Sequence, residues 1–233
     1  MTARQRIRRA LVWPPVGSLR LGSLGRTKPL SANYGFDRGT PIDRHYIERF
    51  LRGHAGDVRG RVLEIGDDEY TRRFGGKRVE RSDVLDAARD NRRATIVADL
   101  THAPEVESGA FDCVICTQTL LLVYDVRAAV ATLERILAPG GVLLVTVPGV
   151  SRICQPEART WGDWWRFTTW SLRRLLEEAF AGGAVEVESY GNVLTAAAML
   201  YGIAAEELAG GELEAHDPDF EVTVAGRAVK RAG

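Results

Sequence analysis

The stretch Val62-Leu63-Glu64-Ile65-Gly66 decides the fold. Branched apolar residues with one acid among them, closed by a glycine, read as a buried strand that stops where a ligand can approach the backbone. In a dinucleotide-binding sheet more glycines follow, because a pyrophosphate needs bare N–H groups at the strand-to-helix turn. Here Asp67-Asp68-Glu69-Tyr70 follows. Carboxylates repel phosphate, so this strand end is expected to serve a phosphate-free, cationic group, with Tyr70 supplying a ring.

Upstream, Pro41 suits the first turn of a helix capped by Thr40, and Ile42, Tyr46, Ile47, Phe50 and Leu51 recur at helical spacing. Downstream, strands are read at 77–84 (ending in Asp83), 94–100 (ending in Asp99), 111–117, 142–147, 185–193 and 220–229. Helices are read at 69–74, 127–137, 168–180 and 194–208. Strands alternating with helices give an α/β fold with a mainly parallel sheet. The expected division is a basic, irregular arm over 1–35 and an α/β domain over 36–233, of which 36–58 is a covering helix.

The bulk composition agrees. Of 233 residues, 45% are apolar and 27% charged, which is the make-up of a soluble globular chain. No apolar run is long enough to span a membrane, and the start of the chain lacks the apolar segment of a secretory signal. Three cysteines are an odd number in so long a chain, which points to a reducing cytoplasm rather than a disulfide framework. The zero net charge hides an asymmetry: residues 1–36 hold seven Arg or Lys and no acid, leaving 24 basic against 31 acidic residues for the rest. The arm is expected to lie on the acidic body, and nucleic acid is disfavoured as a partner.

Ligands of an open parallel sheet bind beyond the carboxyl ends of the strands. Asp67, Asp83, Asp99 and Gln118 fall at or near four such ends. A carboxylate after the second strand is suited to ribose hydroxyls, and one after the third to an adenine amino group. Val62 to Gly66, Asp83, Ala98-Asp99-Leu100, Phe111 to Cys116, Arg135 to Leu144, and Arg166-Phe167-Thr168 with the apolar residues after it together resemble class I methyltransferases that use S-adenosylmethionine. The resemblance covers about residues 60–190, and is also similar to small bacterial enzymes associated with glycan modification. It implies a Rossmann-like three-layer sandwich whose seven-stranded, mainly parallel sheet has an antiparallel last strand. By the same resemblance Glu64 lies under the methionine end of the cofactor, Gly66 lets it approach, and Asp67 belongs to the same loop. Asp83 holds the ribose, Asp99 and Leu100 flank the adenine, and Thr117 and Gln118 lie beside the methionine and sulfonium. The chain departs from the family at Asp67-Asp68-Glu69, where glycines are usual, and at Leu121-Leu122, where many members carry Glu-His.

Other motifs read as structural. Cys113 and Cys116, three apart in a strand, point to opposite faces and cannot pinch a metal. His45, His54, His102 and His216 have no ligand spacing, so no metal is expected. His216-Asp217-Pro218-Asp219 reads as a turn. Trp161 and Trp164 are candidates for the acceptor site, whereas Trp165 and Trp170 are expected to be buried plugs. The first helix either only covers the sheet or closes over the cofactor with its polar residues, among which Arg44 and Tyr46 are candidates for substrate binding. The expected activity is methyl transfer to an oxygen of a small-molecule or glycan-like acceptor, with Asp163 and His45 as candidate bases. The alternative is a non-catalytic binding protein with a degenerate loop; a nicotinamide-dependent oxidoreductase is disfavoured.

Overall fold

The structure, a computed structural model, describes Pro14 and residues 18–233. Seven strands form one sheet: β1 (Gly60–Ile65), β2 (Val79–Asp86), β3 (Ile96–Val97), β4 (Phe111–Thr117), β5 (Leu137–Pro148), β6 (Ala184–Tyr190) and β7 (Thr223–Val229). Their order is β3-β2-β1-β4-β5-β7-β6, and only β7 runs antiparallel to its neighbours. This is the Rossmann-like, mainly parallel seven-stranded sheet with an antiparallel last strand expected from the sequence.

Alternation along the central strands sends side chains to two cores, because successive residues face opposite sides of a sheet. Leu63, Val114, Cys116, Leu143 and Val145 pack beneath α2 (Val126–Ile136) and α4 (Thr169–Ala179). Val62, Cys113, Ile115, Val142 and Leu144 pack beneath α1 (Ile42–Gly53) and α5 (Val193–Tyr201). Cys113 and Cys116 therefore lie in different cores, and burial raises the pKa of both thiols. Strands covered on both faces read as continuous apolar runs, which is why β4 and β5 were legible. Two shorter helices, α3 (Gln155–Thr160) and α6 (Gly210–Glu214), lie in the connections after β5 and α5.

Of the basic arm, residues 1–13 and 15–17 lie outside those described. From residue 18 onward the chain is irregular, but it is anchored at the end of α5. The N–H groups of Leu30 and Ser31 donate to the Tyr201 carbonyl, and Thr40 donates to Glu206 from both its N–H and its hydroxyl. Gly202, at φ 67°, ends α5 in a left-handed conformation, and a Cβ there would lie 2.6 Å from the Ser31 carbonyl oxygen. Glycine thus lets the segment lie flat on the helix end.

Several expectations need correction. Strand β2 runs to Asp86, because Val84 and Leu85 continue the buried run and the register pairs Leu85 with Ile65. β3 is only two residues long. Pro41, not Thr40, holds the N-cap position of α1, and the Thr40 side chain is turned away to Glu206. Trp170 is 84% exposed and Trp165 37%, so neither is a buried plug.

Candidate active site

A cavity of about 740 Å³ opens along the carboxyl ends of β1, β2 and β4. At one end it is lined by Asp86 and Ala87 after β2 and by Asp99, Leu100 and Thr101 after β3. Gly66 and the β4 terminus (Thr117, Gln118, Thr119) form its middle. Tyr124, Asp125, Glu157, Trp161 and Trp164 form the far end.

Gly66 has φ 90°, and a Cβ there would meet nothing within 4 Å. The conformation selects glycine, and the space above it is open to a ligand. Gly66 is held by two neighbours: its N–H donates to the Leu85 carbonyl, and its own carbonyl accepts from Asn91 Nδ2 at 2.7 Å. Asn91 also donates to Asp86 Oδ2 at 2.6 Å, so one amide ties the end of β1 to the end of β2. Asp86 Oδ1 accepts from the Ala88 N–H, which fixes the carboxylate at the cavity wall. Asp99 Oδ1 accepts from the Thr101 N–H and hydroxyl. Gln118 takes a positive φ of 49°, and its Nε2 is buried without a hydrogen-bond partner. A buried, unpaired amide donor beside a cavity calls for a ligand acceptor.

The cofactor residues read from the sequence divide in two. Gly66, Asp99, Leu100, Thr117 and Gln118 line the cavity, whereas Glu64, Asp67 and Asp83 do not. Glu64 is 2% exposed and accepts from the N–H groups of Tyr70 and Thr71 and from the Thr71 hydroxyl. It pins the loop that follows β1. Burial pushes its carboxyl up to about 7, against the opposing effect of those hydrogen bonds. Asp83 is buried in mid-strand between Arg61 and Arg81, at 2.9 Å and 3.1 Å. Burial raises its pKa, but the hydrogen bonds from Arg61 and Arg81 outweigh that and hold it below the ordinary range. Asp83 is thus a strut between neighbouring strands, and Asp86 occupies the strand-end position expected of it.

The acidic loop is neutralised from within. Asp67 Oδ1 accepts from the Glu69 N–H, Asp68 pairs with Arg72, and Glu69 pairs with Arg44. The Tyr70 ring lies under the Arg44 guanidinium, 5.8 Å from its centroid, and so is not offered to a ligand. The phosphate-excluding character of the site comes instead from the cavity itself. Its ionisable lining residues are Asp86, Asp99, Asp125, Glu157 and the Tyr124 phenol; no Lys, Arg or His lines it among the described residues.

The acceptor-side expectations also divide. Trp161 and Trp164 line the cavity; Arg44, His45 and Tyr46 do not. Tyr46 is fully buried against Tyr190, and its hydroxyl donates to the Leu213 carbonyl. His45 lies 3.9 Å from Glu214 on α6. The Asp163 side chain is 1% exposed; it accepts from Arg166 and from the Cys154 N–H. The Arg166 guanidinium holds its pKa below the ordinary range. A carboxylate so paired braces its loop and is a poor base. Sequence reasoning missed Asp86, Tyr124, Asp125 and Glu157; for Asp86 the signal was the Val84-Leu85 pair, which carries the strand past Asp83.

Residues 69–145 match the family model described as "Methyltransferase domain". The matched stretch runs from the loop after β1 into β5. The cofactor of that family is S-adenosylmethionine. The fold agrees along most of the chain. A S-adenosylmethionine-dependent methyltransferase of Archaeoglobus fulgidus aligns at TM-score 0.54 and 14% identity, over 80% of this chain and 94% of that one. Phosphoethanolamine N-methyltransferase 2 of Haemonchus contortus, solved with S-adenosyl-L-methionine, aligns at TM-score 0.53 and 15% identity, over 80% of this chain and 52% of that one. The cyclase SpnF aligns at TM-score 0.54 and 16% identity, over 88% and 87%. A cyclase among these neighbours shows that the likeness carries the scaffold and not the reaction. A comparison with curated protein sequences finds no match. Among the described residues no group of His, Cys, Asp and Glu is placed to hold a metal, and no helix is long and apolar enough to cross a membrane.

Proposed function

We propose that the protein transfers a methyl group from S-adenosylmethionine to a small acceptor seated between the β4 terminus and the Trp161–Trp164 loop. One observation carries this reading: a cavity at the strand ends whose charged lining residues are acids only. Such a lining suits a phosphate-free cation and opposes a dinucleotide.

The residues present fit the cofactor. Asp86 offers a carboxylate to ribose hydroxyls, and Asp99 with Leu100 offers an acceptor and an apolar edge to adenine. Gln118 Nε2 supplies the donor that a methionine carboxylate would satisfy. When bound, S-adenosylmethionine supplies an activated methyl group on a cationic sulfur. The protein's part is to align the acceptor with that methyl and to keep water out. Trp161 and Trp164 offer apolar faces on which a planar acceptor or a sugar ring can stack.

Methyl transfer to oxygen needs a base for the hydroxyl proton. With Asp163 tied to Arg166 and His45 outside the cavity, the carboxylates in reach of an acceptor are Asp125 and Glu157. The reading as a degenerate binding protein rested on Asp67-Asp68-Glu69 blocking the site, and none of these three side chains lines it. Calorimetry tests the proposal. Titration with S-adenosylhomocysteine should show one site per chain and NADH should show none; absence of heat with S-adenosylhomocysteine sinks it.

A further inference from the structure

The far end of the cavity has a composition that methyl transfer alone does not require. Tyr124 and Trp164 meet edge to face, with centroids 5.0 Å apart and planes at 71°, and form a corner of two rings. Trp164 is fixed there from two sides: its backbone N–H donates to the Leu121 carbonyl at 2.8 Å and its Nε1 to the Trp161 carbonyl at 3.2 Å. The first bond ties the loop after β5 to the loop after β4. Both rings remain open to solvent, with Trp164 51% and Tyr124 69% exposed. Two carboxylates accompany the rings. Asp125 follows Tyr124 directly, and Glu157 lies one helical turn before Trp161, whose N–H donates to the Glu157 carbonyl. Both acids line the same cavity.

Ring faces meeting at a corner, with carboxylates beside them, form a receptor for an organic cation: the rings offer their negative faces and the acids add net charge. A sugar needs the rings but not the acids, and a phosphorylated or carboxylated acceptor is repelled by them. The strand order separates this corner from the nucleoside end, since Asp86 and Asp99 follow β2 and β3 whereas Tyr124 and Trp164 follow β4 and β5. We infer that the corner of Tyr124 and Trp164, with Asp125 and Glu157, is the acceptor subsite, and that the acceptor is a small amine without phosphate, methylated on nitrogen. The inference rests on the methyltransferase reading above.

The chemistry balances without a further reactant. The amine docks as its ammonium and first gives up one proton to water through the open mouth. The freed nitrogen lone pair then forms the new N–C bond as the methyl's C–S bond breaks, its electron pair staying on sulfur. The positive charge passes from sulfur to nitrogen, so the rings and carboxylates face an ammonium when the acceptor docks and a methylated ammonium after the transfer.

The experiment compares choline with 3,3-dimethylbutan-1-ol, its uncharged isostere, by calorimetry on the full chain. S-adenosylhomocysteine is titrated first and reports on the cofactor reading by itself. The pair is then titrated into the loaded protein, or into the free protein if the nucleoside does not bind, because the corner is built from the protein alone. Choline should bind at least about ten-fold tighter than the isostere, the difference that charge facing aromatic rings supplies. Trp164→Leu and Glu157→Gln should each weaken choline several-fold and leave S-adenosylhomocysteine unchanged, whereas Trp170→Leu should alter neither. Equal affinity for choline and its isostere, or choline binding only when S-adenosylhomocysteine is absent, overturns the inference; the latter would make the corner the cofactor's own cation site.

Discussion

Exchanging Asp86 and exchanging Asp83 should produce opposite phenotypes, although the two acids lie three residues apart on one strand. Asp86 ends β2 at the cavity wall with Oδ1 and Oδ2 each accepting one hydrogen bond from the protein, which leaves lone pairs for a ligand. Hydrogen bonds to a charged group contribute about 1.5–3 kcal/mol each. Two ribose hydroxyls donating to one carboxylate therefore set a loss of about 3 kcal/mol or more for Asp86→Ala, roughly a hundred-fold in Kd. The folded protein should persist, because the side chain is only partly buried. Asp83 is 2% exposed, and its carboxylate joins Arg61 of β1 to Arg81 of β2. Asp83→Asn keeps the shape and removes the charge, at a cost to stability of about 1.5–3 kcal/mol. At this chain length that lowers Tm by about 4–10 °C. The assay is calorimetric titration with S-adenosylhomocysteine beside a thermal melt for each variant. Asp86→Ala should lose affinity with nearly unchanged Tm, and Asp83→Asn should lose Tm with affinity kept below its melting range. If Asp83→Asn abolishes binding in a fully folded protein while Asp86→Ala binds as the wild type does, the assignment of the strand end is wrong.

Three further outcomes follow from the same geometry. Glu64 keeps its proton up to about pH 7 in the folded chain, against an ordinary value of 4.5, so the folded state binds more protons between these values. Stability should therefore fall as pH rises from about 4.5 to 7, by at most about 3 kcal/mol, and Glu64→Gln should flatten that window in melts taken across it. Asp163→Asn should cost about 1.5–3 kcal/mol of stability by releasing Arg166, without shifting the basic or acidic limb of a rate–pH profile; a lost acidic limb would restore Asp163 as a base. Asn91→Ala removes the donor shared by Gly66 and Asp86, and should weaken S-adenosylhomocysteine about five- to ten-fold, read by calorimetry.

The central sheet was legible because burial on both faces leaves unbroken apolar runs, as in Cys113–Cys116 and Val142–Val145. The antiparallel last strand came from resemblance rather than from periodicity. The end of β2 was misplaced because Asp83 looks like a terminus in sequence, whereas its charge is met by Arg61, 22 residues away on the neighbouring strand. The same long-range pairing hid the fate of the acidic loop. Asp67, Asp68 and Glu69 read as a cation site until Arg44, 25 residues earlier, is seen beside Glu69. That Trp161 and Trp164 would lie near the strand ends was legible, because aromatic rings grouped between a strand and a late helix fall there, and both line the cavity. Their partner Tyr124 was not, because it arrives from the loop after β4. Trp170 was misread since an exposed tryptophan leaves no mark in a sequence.

The most direct test of the account is the crystal structure of the protein with S-adenosylhomocysteine. The account predicts the nucleoside across the ends of β1, β2 and β4, its ribose hydroxyls on Asp86, its adenine between Leu100 and the β4 side, and Gln118 Nε2 bonded to the ligand. A nucleoside bound elsewhere, or a ribose that contacts neither Asp86 nor the Gly66 backbone, contradicts it.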